Sequence, residues 1–176
     1  MSDSRRNFLF KTVGASSAAW LVANWPAQVA AAEKAMAMGN FTFLSREQAA
    51  EIDAMAAQIY PSDSTPGAKE AQAIYFIDLA LVTFAQDKQD VYAKGLADLS
   101  SRTGGKAFAA LPSDQQLAIL TAMETTPFFK TVRDHTIMGM FASPQHGGNF
   151  HKIGWQQISF DDSLNFRAPF GAYDKA

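Results

Sequence analysis

The sequence predicts an all-α fold: a single domain of about five helices, followed by an irregular, aromatic-rich carboxyl-terminal segment. Three observations predict it. Apolar residues recur at helical spacing over several stretches. Helix-start and helix-stop residues bracket those stretches. No stretch alternates apolar and polar residues as a half-buried strand does. The 176 residues suffice for one domain and little more.

Ser45 opens the first helix, with Gln48 three residues on in the position that completes a capping box. Ala49, Ile52, Met55, Ala56 and Ile59 then form one apolar face, and Pro61 ends the helix. The next residues, Tyr60-Pro-Ser-Asp-Ser-Thr-Pro-Gly67, are turn formers. A second helix is expected over about 68–84. Ile74, Tyr75, Phe76, Ile77, Leu79, Leu81 and Val82 make it apolar nearly all round, as for a buried central helix. A third, about 87–101, carries Val91, Leu96 and Leu99 on one face and is closed by Thr103-Gly-Gly105. A short fourth helix follows Pro112, with Ser113 as its expected N-cap and Gln116 three residues later. A fifth spans about 126–141, starting at Pro127. Beyond 142 no helical periodicity remains. Nine of the chain's 21 aromatic residues lie in its last 49 positions, among them Trp155, Phe160, Phe166, Phe170 and Tyr173.

The amino terminus reads as an export signal over residues 1–32, leaving 33–176 as the helical domain. Arg5-Arg6 precedes Phe8-Leu9. A weakly apolar stretch follows, ending in Ala30-Ala31-Ala32. The arginine pair resembles the twin-arginine type of signal, an address rather than an anchor. The apolar stretch falls short of the ~20 residues a spanning helix needs. Localisation is therefore expected to be the periplasm.

Composition excludes several classes of function. The formal charge is -2, and after loss of residues 1–32 the chain has twelve basic and sixteen acidic residues, so no basic field favours nucleic acid. Cysteine is absent, which removes disulfides, thiolate nucleophiles, iron–sulfur ligation and covalent haem attachment. His146 and His151 flank a Gly-Gly loop at a spacing that fits no helical or finger-type metal site, although His135 with Asp134 or Asp63 would complete a conceivable donor set. Asp63 reads as a turn residue ahead of Pro66-Gly67. Asp78 lies on the most apolar helix and needs hydrogen bonds or a cation, for which Arg133 is the expected partner. No nucleophile, paired-carboxylate or dinucleotide motif appears, so no catalytic, cofactor or metal residue is expected.

Two groups of residues resemble a known family. One is Ile59-Tyr-Pro-Ser-Asp63 with Pro66-Gly67-Ala68 and Phe76-Ile-Asp78. The other is Thr136 to Phe141 with Pro144, Gly147-Gly148-Asn149 and Gly154-Trp155. Together they resemble the gluconate 2-dehydrogenase subunit 3 family over about 42–160. The resemblance implies a non-catalytic small subunit that supports folding, export and stability of a large subunit. That partner would be FAD-dependent, of the glucose–methanol–choline type. A multihaem cytochrome c is commonly a further partner, so FAD and haem c would lie on the partners and not on this chain. It implies an interface or motif role for Asp63, Pro66, Gly67, Asp78, Gly147, Gly148, Asn149 and Trp155. Trp155 has two readings: an anchor in the partner, or a side chain folded onto this domain's own helices. The alternative function is a stand-alone periplasmic ligand- or metal-binding protein.

Overall fold

A computed structural model describes residues 40–162. The signal residues Arg5, Arg6, Phe8 and Leu9, the expected cleavage site near Ala32, and Phe166, Phe170 and Tyr173 lie outside the described residues. Within them the chain is all α-helical with no strand. The helices are α1 (Arg46–Ile59), α2 (Ala73–Val82), α3 (Gln89–Arg102), α4 (Ser113–Met123), α5 (Pro127–Phe141) and α6 (Ile153–Gln157). Short 3₁₀ turns at Gln86–Lys88, Phe108–Ala110, Pro144–His146 and Phe150–Lys152 join them.

The local signals act largely as the sequence predicts. Ser45 and Gln48 form a complete capping box at the start of α1. Thr126 caps α5 by accepting from the Phe129 N–H at 3.2 Å, with Pro127 at the first helical position. Gly105 donates back to the Ser100 carbonyl at 2.9 Å and closes α3. Ala49, Ile52, Met55 and Ala56 are buried along α1, and Ile59 is half-buried.

Four details differ. The second helix starts five residues late, because Gln72 adopts a left-handed conformation (φ 53°) and the chain turns before Ala73. Ser113 does not cap α4; the helix is entered from Pro112, and the Ser113 hydroxyl accepts from Gln58 Nε2 at 2.9 Å. Gln116 is likewise engaged across the core, with Nε2 donating to the Phe108 carbonyl at 2.9 Å and Oε1 accepting from Gln58 at 2.8 Å. Finally, the tail beyond 142 is not wholly irregular. The five residues of α6 are too few to show a period of 3.6.

Helices α2 and α5 share the most extensive contact, and α1 packs on both. Gly139 permits the approach, since a Cβ there would stand 3.0 Å from the Ala73 Cβ. The main core joins Ile52, Met55, Ile77, Leu81, Tyr92, Leu99, Phe108, Met123, Phe128 and Val132. No helix among the described residues is long and apolar enough to cross a membrane.

Candidate functional site

Parts of the two sequence groups singled out above, Pro66-Gly67 from the first and Gly147-Gly148-Asn149 with Gly154-Trp155 from the second, meet at one end of the bundle, where α5 ends. A helix leaves its last carbonyls without partners inside the helix. Here the following loop turns back and supplies the donors. The Asn149 N–H donates to the Gly139 carbonyl at 2.7 Å. Asn149 Nδ2 donates to the Ala142 carbonyl at 3.0 Å, and Trp155 Nε1 donates to the Phe141 carbonyl at 2.7 Å. The remaining Asn149 oxygen, Oδ1, accepts from the Gly154 N–H at 2.8 Å. Asn149 is completely buried in a left-handed conformation (φ 50°), which asparagine tolerates better than other non-glycine residues.

The glycines make room for this return. Gly147 takes φ 101°, a region that side chains rarely adopt, directly against the Tyr75–Phe76 backbone. A Cβ on Gly148 would stand 2.2 Å from the Gly139 carbonyl oxygen, and one on Gly154 would stand 1.9 Å from that of Met140. No side chain fits at either place.

The Pro66-Gly67 segment is fastened to the same junction. Gln157 Nε2 donates to the Pro66 carbonyl at 2.6 Å, while its Oε1 accepts from the Tyr60 hydroxyl at 2.8 Å. The Phe150 N–H donates to the Ala71 carbonyl at 3.0 Å. Tyr60 also meets the Phe141 ring edge-on at 6.0 Å. Gln157 thus clamps the two groups together. It lies in an aperiodic stretch, and no signal in the sequence marks it.

Trp155 belongs to this domain: it is half-buried, bonded to the end of α5, and its ring packs edge-on against Phe160 at 5.0 Å. Phe160 and Ile158 are more than half exposed beside it. Asp63 stands apart at the surface. Its Oδ1 accepts from the Thr65 N–H at 2.9 Å, and that bond holds its carboxyl below the usual range.

Asp78 is buried but not paired with Arg133, which corrects the sequence expectation. Its Oδ2 accepts from the Thr42 N–H at 2.6 Å, and its Oδ1 from Phe43 and Leu44 at 2.9 and 2.8 Å. Arg133 pairs instead with its exposed neighbour Asp134 at 3.0 Å. Three backbone donors satisfy a buried carboxylate without a cation. Asp78 therefore anchors the segment entering α1.

Of the histidines, His135 is buried and shares a hydrogen bond between Nδ1 and the Tyr92 hydroxyl at 3.0 Å, with the rings stacked at 5.8 Å. Burial lowers its pKa and that of His146, and raises that of Tyr92. Among the described residues no group of three or more His, Asp or Glu is arranged to hold a metal ion. Pro66, Gly67, Gly147, Gly148, Asn149 and Trp155 come together, and what they build is a rigid junction rather than converging reactive groups.

No curated protein and no solved structure matches the chain. The family model described as gluconate 2-dehydrogenase subunit 3 matches residues 46–161, a span that contains α1 to α6 and the whole junction. The chain belongs to the gluconate 2-dehydrogenase subunit 3 family.

Proposed function

We propose that this chain is the non-catalytic small subunit of a periplasmic FAD-dependent dehydrogenase acting on a sugar acid or alcohol. It supports folding, export and stability of the flavoprotein large subunit. FAD, and haem c where a cytochrome subunit is present, reside on the partners. The family match over 46–161 carries the reading, because the family is a subunit of a gluconate 2-dehydrogenase complex. The geometry supports it. The motif side chains are occupied in closing helix ends and fixing loops, which yields a stiff surface suited to holding another protein.

Export by the twin-arginine route follows from Arg5-Arg6 and belongs to the same proposal. That route carries folded cargo, so a small chain with the signal can escort a flavoprotein already loaded with its cofactor. The test is co-expression of the full precursor with the flavoprotein large subunit. Both proteins should reach the periplasm as one complex. Replacing Arg5 and Arg6 together by lysine should retain both in the cytoplasm. Periplasmic delivery of the large subunit in the absence of this chain would defeat the escort reading.

A further inference from the structure

Helix α3 is held to the bundle mainly through α5 and through the Gln86–Lys88 turn that leads into it. Two residues of α3 carry the seam. Gly95 lies against Phe128, where a Cβ would stand 2.0 Å from the ring. Tyr92, three residues earlier, has no exposed surface. Its ring meets Phe128 edge-on at 5.8 Å and stacks on that of His135 at 5.8 Å. Its hydroxyl stands 3.0 Å from His135 Nδ1.

This pair can bond well in one direction. A hydroxyl has one proton to give, and a neutral imidazole has one bare nitrogen to receive it. Among the described residues the Tyr92 hydroxyl has no second partner. A proton on Nδ1 would be donated to the Tyr92 oxygen and would leave the hydroxyl proton buried without an acceptor. Tyr92 therefore donates, Nδ1 is bare, and the ring proton of His135 sits on Nε2. Charging the imidazole adds a hydrogen to Nδ1 and forces the poorer arrangement. The hydroxyl proton is stranded, and a positive charge stands in a buried seam. The surroundings compensate in part. From the Gln86–Lys88 turn, Asp87 favours the cation and Lys88 opposes it; from α5 itself Asp134 favours it, and α3 offers the neutral Tyr92 hydroxyl. Burial outweighs the two carboxylates and lowers the pKa of His135.

We propose that the Tyr92–His135 bond is an acid-sensitive latch, which holds α3 on α5 near neutral pH and lets the helix lift away in mild acid. Helices α1, α2 and α5 pack on one another directly, so α3 can open while they stay assembled. Opening uncovers Tyr92, Leu99 and Phe128, all buried in the closed state. The apolar surface of the protein would thus depend on pH.

The experiment is amide hydrogen exchange on the full chain from pH 8 to pH 5, read as protection factors so that the intrinsic pH dependence of exchange cancels. Peptides from α3 should lose protection below about pH 6.5, by up to about tenfold per pH unit, the limit for uptake of one proton. Peptides from α1 and α2 should keep theirs. His135→Gln retains an acceptor for Tyr92 and cannot be charged, so its α3 should stay protected throughout. Level protection of α3 in the wild type would overturn the proposal. A parallel loss in α1 and α2 would do the same, since the effect would then be global, as would a pH response that survives in His135→Gln. The imidazole nitrogen chemical shifts of the wild type give a check that needs no variant. A bare Nδ1 and a protonated Nε2 are expected at pH 8, and the opposite tautomer would overturn the latch.

Discussion

The side chain of Asn149 and the backbone of Gly154 are joined by a 2.8 Å hydrogen bond inside the junction that closes α5. The bond is one of four that Asn149 makes there: two others reach the Gly139 and Ala142 carbonyls, and the Asn149 carbonyl accepts from the Lys152 N–H at 2.8 Å. Asparagine suits the place on two counts: it has both a donor and an acceptor on one short side chain, and it tolerates φ 50°. Aspartate keeps the acceptor and loses the donor; alanine loses both.

Asn149→Ala is therefore expected to destabilise the full chain by about 2–4 kcal/mol, from unsatisfied buried groups together with the left-handed backbone. Asn149→Asp should cost as much or more, since a carboxylate would face the Ala142 carbonyl. Urea unfolding followed by circular dichroism measures both. A change under about 0.5 kcal/mol for either variant would mean that the junction does not depend on this side chain.

Asp78 yields a prediction of the opposite logic, in which the expected cation is irrelevant. Asp78→Asn converts one acceptor oxygen into a donor that confronts a backbone N–H of the Thr42–Leu44 segment. A loss of about 2–3 kcal/mol is expected, the worth of hydrogen bonds to a charged group. Arg133→Ala should fall within about 0.5 kcal/mol of the wild type, because its pair with Asp134 is exposed. Amide hydrogen exchange at residues 42–44 should accelerate in Asp78→Asn and stay unchanged in Arg133→Ala.

These two residues also mark how far the sequence can be read. Local rules act over a few residues, so the Ser45 capping box, the Thr126 cap and the Gly104-Gly105 stop were legible. So was the near-continuous burial of α2. The need of Asp78 for a partner was legible as well, but not its identity. The choice between Arg133 and three backbone N–H groups depends on where residues 42–44 fold, which no spacing encodes. Asn149 and its glycines were legible as a turn, and their role in closing α5 was not, because the carbonyls concerned lie seven to ten residues earlier. Gln157 carried no signal. Its two partners, Tyr60 and Pro66, are more than ninety residues away along the chain.

His135 is expected to contribute to the loss of stability below neutral pH. Burial lowers its pKa in the folded state below the ordinary 6.5. The unfolded chain then binds the proton more readily than the folded one, so the contribution is complete above about pH 6.5 and is lost as pH falls below it. His146 shifts the same way for the same reason. Unfolding free energy measured from pH 8 to pH 5 should be level at first and then decline, by at most ~1.4 kcal/mol per pH unit for each histidine. His135→Gln should reduce the slope. An identical slope in that variant would assign the acid sensitivity elsewhere.

Trp155 tests whether the junction is a feature of the subunit itself or of its complex. Its indole N–H closes the Phe141 carbonyl, its ring is half-buried, and Phe160 leans on it from the solvent side. Those contacts lie within one chain, so truncation should be felt before any partner arrives. Trp155→Phe keeps most of the ring and removes one hydrogen bond, for an expected loss of about 1 kcal/mol. Trp155→Ala removes the ring as well and should cost about 2–3 kcal/mol, less than for a fully buried tryptophan. Phe160→Ala supplies the contrast. Its side chain is 54% exposed, so the isolated chain should melt almost as the wild type does. Differential scanning calorimetry of the three variants orders them directly. Wild-type melting in Trp155→Ala would detach the indole from the fold and restore it as a candidate anchor for the large subunit. A loss in Phe160→Ala equal to that in Trp155→Ala would show that the two rings act as one unit.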